Sequence, residues 1–137
     1  MKKRETIVIM NKVDELPILA VKIEGLAEKW ELPMALTMNL NLVLEEAVSN
    51  VIFYAFKDQE KHEINISLSL EKNTLAIEIT DEGIAFDPTL REQPDLTLSA
   101  EERPVGGLGI FLISKIMDTV NYSRNNNQNK LTLTKNI

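Results

Sequence analysis

Cysteine is missing from the 137 residues. Its absence removes disulfides, thiolate metal sites and cysteine nucleophiles together, and it fits a reducing, cytoplasmic setting. Histidine occurs once, at His62, which leaves no cluster of ligands for a transition metal. Basic residues do not dominate: 15 Lys and Arg stand against 21 Asp and Glu, and the net charge is −6. They are scattered along the chain, so the electrostatic footprint of a nucleic-acid binder is missing. No apolar run approaches the roughly 20 residues that a membrane-spanning helix needs. The basic start is followed by an apolar stretch, residues 6–10, too short for the core of a signal peptide. Neither a nucleic acid nor a membrane is expected as a direct partner.

What remains is ordinary globular material, 44% apolar and 26% charged. The length suits a single domain over 1–137 with one hydrophobic core. Residues 6–10 are β-branched and apolar and predict a first strand. Residues 16–30 repeat Leu19, Ile23, Leu26, Ala27 and Trp30 at helical spacing, with Pro17 allowed in the first turn. After the Leu32-Pro33 break, residues 34–56 carry Leu40, Val43, Leu44, Ala47, Val51 and Tyr54 on one broad face of a longer helix. Alternation over 62–70 and 74–80 predicts a hairpin turning at Asn73. Residues 82–106 hold no period and three prolines, the pattern of a mobile loop or functional lid, over about 84–106. A helix restarts over 108–117, and strands over 119–123 and 130–135 flank an Asn-rich turn at 125–129. Strand pairs joined by short turns, with helices collected on one face, predict an α/β two-layer sandwich on a mixed, mostly antiparallel sheet.

Three clusters carry chemistry. Glu46 and Asn50 lie four residues apart, one helical turn, so a carboxylate and a carboxamide share one side of the long helix. Together they suit a hydrated magnesium ion and an oriented nucleophile. Asp81-Glu82-Gly83 follows an alternating strand, where a carboxylate can accept a hydrogen bond from an exocyclic amine and a glycine lets a flat ring approach the backbone. Gly106-Gly107-Leu108-Gly109 stands directly before a helix, whose free N–H groups and dipole favour phosphate. Each has a plainer reading taken alone: a solvated helix edge, a strand-ending turn, a hinge for the lid.

In this order, with a long loop between the second and third, the clusters resemble the N box and the two glycine boxes of the GHKL superfamily, which includes gyrase, heat-shock chaperone ATPases and histidine kinases. The likeness covers roughly residues 40–135. Phe86-Asp87-Pro88 and the run from Gly106 to Ile113 are similar to the compact anti-sigma factor serine/threonine kinases within it. The resemblance implies a histidine kinase/gyrase-type ATPase fold that uses ATP and Mg2+. It implies Glu46 as catalytic base, Asn50 as magnesium ligand, Asp81 as the adenine-reading carboxylate with Gly83 beside the base, and Gly106, Gly107, Leu108 and Gly109 around the phosphates. It further implies a STAS-domain antagonist as substrate, a sigma factor or other client as competitor, and a homodimer through the first strand and helix.

Several positions depart from the family pattern. Phe53-Tyr54-Ala55-Phe56 fills a stretch where relatives often carry His-Gly, which reads Tyr54 as a pocket-edge or core residue. Thr132 or Thr134 stands for the threonine that relatives place near the adenine, with the register left open by the Asn-rich turn. Arg103 is read as a solvated lid residue, and His62 as structural or exposed. The function expected is phosphorylation of the antagonist in a partner-switching cycle. The alternative is a nucleotide-sensing module that binds its partner with little or no phosphoryl transfer.

Overall fold

The computed structural model describes residues 2–90 and 107–137. Five strands form one sheet: β1 (Lys3–Met10), β2 (Glu63–Glu71), β3 (Thr74–Asp81), β4 (Thr119–Asn125) and β5 (Gln128–Asn136). Three helices accompany them: α1 (Leu16–Lys29), α2 (Met34–Tyr54) and α3 (Gly107–Ile116). The sheet order is β1-β2-β3-β5-β4. Every pairing is antiparallel, so the mixed sheet expected from sequence is antiparallel throughout the described residues.

The inner face of the sheet is written by period-two alternation. Ile64, Ile66 and Leu68 on β2, Leu75, Ile77 and Ile79 on β3, and Leu131 and Leu133 on β5 are all buried. Against them lies the apolar face of α2, where Leu40, Val43, Leu44, Ala47, Val48 and Val51 recur at helical spacing. Leu19, Ile23 and Leu26 of α1 and Ile110 and Ile113 of α3 complete one continuous core. Apart from Ala76, the outer positions between them are polar, as suits a sheet with helices on one face only.

Termination is local chemistry. The α1 helix ends in a Schellman motif, with the Leu32 N–H donating to the Ala27 carbonyl at 2.8 Å and Glu31 in the left-handed region at φ 56°. Pro33, extended, then precedes the first turn of α2. Both hairpins close through two left-handed residues, Lys72-Asn73 and Asn126-Asn127, the arrangement whose twist matches the flanking strands. The second turn is therefore shorter than the 125–129 segment expected. Two asparagines suffice to reverse the chain, so Asn125 and Gln128 are already paired and β5 starts earlier.

That extension fixes the register of the site. Asp81 at the end of β3 faces Asn129 on β5, and Asn129 faces Arg124 on β4. Asn129, expected in the turn, is a buried strand residue. Thr132 and Thr134 occupy the alternate positions to buried Leu131 and Leu133, pairing with Glu78 and Ala76, so they point to the outer face and do not serve beside the aspartate. Residues 84–90, expected as the start of a mobile lid, are held: Phe86 stacks on Tyr54 with ring centroids 5.2 Å apart, and Asp87 accepts from the Thr89 N–H at 2.9 Å ahead of a short 3-10 turn at Pro88–Leu90. The rest of the expected lid, with Arg103 and Gly106, lies outside the described residues.

Candidate functional site

The α2 helix brings Glu46 and Asn50 to the sheet end where β3 finishes. Asn50 is 3% exposed, and its Nδ2 has no hydrogen-bond partner among the described residues. A buried donor left unpaired costs on the order of 1–3 kcal/mol, which marks this group as a candidate for contact with a ligand's acceptor. Glu46, one turn earlier, is half-buried. Burial pushes its carboxyl above the ordinary 4.5, and the charge of adjacent Glu45 raises it further. Both effects favour the protonated form and make the carboxylate a better proton acceptor than a solvated one.

Asp81 is 3% exposed. Its Oδ1 accepts the Gly83 N–H at 2.8 Å and Asn129 Nδ2 at 3.0 Å. Burial raises its pKa from 3.8, and these two hydrogen bonds and the nearby Arg124 charge pull the other way. The loop beyond is fixed by close backbone approach. The Ile84 N–H donates to the Ala55 carbonyl at 2.8 Å, and a Cβ on Gly83 would stand 2.4 Å from that same oxygen. Glycine here is demanded by the protein's own backbone at the end of α2, whatever ring lies alongside.

Asn50, Asp81, Phe86, Pro88, Tyr122 and Asn129 line one small cavity, together with Ala47, Val51, Ile79 and Leu131. Its volume is about 20 Å³, room for roughly one water, whereas ligand pockets run from about 300 Å³. A nucleotide entering here has to displace the Phe86–Pro88 segment that closes it. A wider hollow of about 590 Å³ lies between α1 and α2, lined by Ala27, Leu32, Met34 and Met38 among others. It contains no buried polar group in need of a partner, so volume alone does not locate the chemistry.

The third cluster sits slightly differently from expectation. The α3 helix begins at Gly107, so Gly107, Leu108 and Gly109 form its first turn rather than preceding it. The free N–H groups of a helix are those of its first turn, which keeps the phosphate argument intact. The structure thus brings Asn50 and Asp81 to one cavity, with Glu46 one helical turn from Asn50, Gly83 just beyond Asp81, and Gly107–109 opening the helix that packs on α2.

Sequence reasoning missed Asn129, Tyr122 and Arg124. Tyr122 OH donates to Asn129 Oδ1, and Arg124 Nη1 reaches both Asn129 Oδ1 and the Gly83 carbonyl at 3.0 Å. The signal was present in Asn126-Asn127: a two-residue turn there sets the register and puts Val120, Tyr122 and Arg124 on one face. Tyr54, expected at a pocket edge or in the core, is half-buried and stacks on Phe86, one of the residues lining the cavity. His62 stacks on Phe56 at 4.4 Å and pairs with Asp58 at 2.8 Å, a structural clasp at the start of β2.

Comparison with known proteins agrees with this geometry. A model of the histidine kinase-like ATPase domain family matches residues 9–135. The chain is 31% identical over 110 residues to the serine/threonine-protein kinase BtrW of Bordetella bronchiseptica, covering 80% of this chain and 76% of that protein. It is 29% identical over 119 residues to the serine-protein kinase RsbW of Listeria monocytogenes serovar 1/2a, covering 84% and 76%. Among solved structures, the histidine kinase domain of the Erythrobacter litoralis EL346 blue-light activated histidine kinase superposes with a TM-score of 0.56 at 14% identity over 90% of this chain. The chain spans 59% of that structure, and at this identity the likeness is one of fold. The chain belongs to the histidine kinase-like ATPase domain family, an ATP-binding family, and its likeness to the anti-sigma serine/threonine kinases is borne out by these kinase relatives. Among the described residues no helix is long and apolar enough to cross a membrane.

Proposed function

We propose that the chain is an ATP-dependent serine/threonine protein kinase that acts as an anti-sigma regulatory factor and phosphorylates a STAS-type antagonist. The observation that carries this reading is the buried Asn50 carboxamide, whose Nδ2 has no partner among the described residues, in the cavity of Asp81 and one turn from the half-buried Glu46. Burying such a group without a ligand is costly, and the kinase relatives supply the class of ligand.

In this account Asp81 accepts a hydrogen bond from the adenine amine, and Gly83 lies beside the base. The first turn of α3, with Gly107, Leu108 and Gly109, presents N–H groups to the phosphates, and Gly106 precedes it in the sequence. Asn50 Oδ1 is a hard oxygen donor that would hold Mg2+, and Glu46 stays free as the base. When bound there, the ion would supply neutralisation of the charge that develops on the phosphates. Glu46 takes the proton of the partner's hydroxyl as that oxygen bonds to the γ-phosphorus. The bond between the γ-phosphorus and the β,γ-bridging oxygen breaks, and ADP leaves.

The site demands positioning and charge compensation more than covalent chemistry, which matches its short list of groups. The unphosphorylated antagonist competes with a sigma factor or another client for the domain, and phosphorylation releases it. The working setting is the cytoplasm, and a homodimer through β1 and α1 fits the same scheme. The test is incubation with Mg2+ and γ-labelled ATP, with and without a STAS-domain partner. Label on a serine or threonine of the partner, lost in Glu46→Ala while nucleotide binding persists, is the expected result. Nucleotide binding with no transfer to any partner overturns it in favour of a sensing module.

A further inference from the structure

We propose that Asn129, held by Tyr122 and Arg124, is a positioning residue that aims the Asp81 carboxylate and thereby sets the preference of the site for a base bearing an exocyclic amine. This rests on the reading of Asp81 as the base-contacting carboxylate.

Three adjacent strands supply the parts, since Asp81, Asn129 and Arg124 face one another across β3, β5 and β4. Asn129 is 4% exposed and spends its whole hydrogen-bonding capacity. Nδ2 donates to Asp81 Oδ1 at 3.0 Å and to the Ile84 carbonyl at 2.7 Å. Oδ1 accepts from Arg124 Nη1 at 3.0 Å, from Tyr122 OH and, more weakly, from the Phe86 N–H at 3.4 Å. The amide has one workable orientation. Turned over, it would set its NH2 group against a guanidinium, a hydroxyl donor and a backbone N–H, and its oxygen against a carboxylate.

The consequence falls on Asp81. Asn129 Nδ2 and the Gly83 N–H both act on Oδ1. Oδ2 is left without a protein donor among the described residues, on a side chain that lines the cavity with Asn50 and Tyr122. A carboxylate pinned through one oxygen presents the other as an acceptor in a fixed direction. An amine on a purine can donate to it, and a carbonyl at the same ring position cannot. The nearby Arg124 charge acts against the rise that burial gives the Asp81 pKa. Arg124 also holds the Gly83 carbonyl, so one cation fixes both the reader and the loop that follows it.

The experiment is calorimetric titration of the full chain with ADP and with IDP, each with Mg2+. IDP replaces the exocyclic amine by an oxygen. Wild type is expected to favour ADP by about tenfold or more, the worth of a hydrogen bond to a charged group. Asn129→Ala and Asn129→Asp are expected to bring the ADP-to-IDP ratio close to one, chiefly by weakening ADP. Tyr122→Phe, which removes a single hydroxyl, is expected to lower the ratio by roughly threefold on the same principle, and it decides the matter where the Asn129 variants do not fold. A role confined to structure would weaken both nucleotides in parallel, and an unchanged ratio in these variants overturns the proposal. Asp81→Asn separates the two layers. If its ratio collapses while the Asn129 and Tyr122 variants keep theirs, the positioning role alone fails. If wild type shows no preference, or Asp81→Asn retains it, the reading of Asp81 fails as well.

Discussion

Gly83→Ala should destabilise the fold by about 2 kcal/mol, and the structure says why. The added Cβ would stand 2.4 Å from the Ala55 carbonyl oxygen, 2.7 Å from the Ala55 Cβ and 2.9 Å from its carbonyl carbon. Ordinary contact begins near 3.4 Å, so the end of α2 and the loop after β3 must separate by about 1 Å. Overpacking of this kind costs about 1–3 kcal/mol. The same separation stretches the Ile84 to Ala55 hydrogen bond beyond reach from its 2.8 Å, a further loss of about 0.5–1.5 kcal/mol. Against this, replacing glycine restricts the unfolded chain and returns about 0.4–1 kcal/mol. Urea denaturation should show a lower midpoint at unchanged slope, and the melting temperature should fall by roughly 6 °C for a domain of this size. Gly25 supplies the control, because it lies within α1, is exposed, and has nothing within 4 Å of an added Cβ. Gly25→Ala should stabilise by about 0.5–1 kcal/mol. A Gly83→Ala variant within 0.5 kcal/mol of the parent would refute the close-approach argument.

Further expectations concern charge. Asp81 carries a pKa raised by burial above 3.8, a rise that its hydrogen bonds and Arg124 only partly offset. The native state therefore holds the proton more readily than the unfolded chain, so the cost of the charge is absent below the unfolded pKa and grows as pH rises through the raised one. At neutral pH Asp81→Asn should match or exceed the parent in thermal stability while losing nucleotide binding, and its advantage should vanish in acid; a variant clearly less stable at neutral pH would count against the burial argument. For Glu46, burial outweighs the neighbouring Glu45 charge as the cause of its raised pKa. Glu45→Gln should thus move the acid limb of the phosphoryl-transfer profile part of the way toward lower pH, and an unmoved limb would deny Glu46 the role of base. Removing that base in Glu46→Gln should slow transfer by about 10²–10⁴-fold with nucleotide affinity retained, measured as single-turnover label transfer; a variant with near-parent transfer would place the base elsewhere.

Most of the fold was legible because its signals are local. The helical spacing from Leu40 to Val51 and the alternation of Ile64, Ile66 and Leu68 each name their buried face without help from the rest of the chain. Glu46, Asn50, Asp81 and Gly83 could be singled out for a related reason, since each lies on, or just beyond, an element whose period or ending is clear. The failures cluster where a single residue of register matters. A five-residue asparagine-rich turn and a two-residue one look alike in composition, yet the choice moves Asn129 from solvent to a buried position against Asp81 and turns Thr132 and Thr134 outward. Side-chain direction in a strand alternates at every residue, so a strand whose start is uncertain by two places can keep its core pattern and still hide its polar partner. The stacking of Phe86 on Tyr54 was likewise out of reach, because it joins a loop and a helix end far apart in sequence.

The account turns on the cleft between α2, β3 and β5 being the nucleotide site. A crystal structure of the chain with Mg2+ and a non-hydrolysable ATP analogue tests this most directly. It should show the Phe86–Pro88 segment displaced, the adenine amine within hydrogen-bond distance of Asp81, the metal on Asn50, and phosphate oxygens at the first turn of α3. Nucleotide bound elsewhere, with the Asp81 cavity still closed and Asn50 still unpartnered, would contradict it.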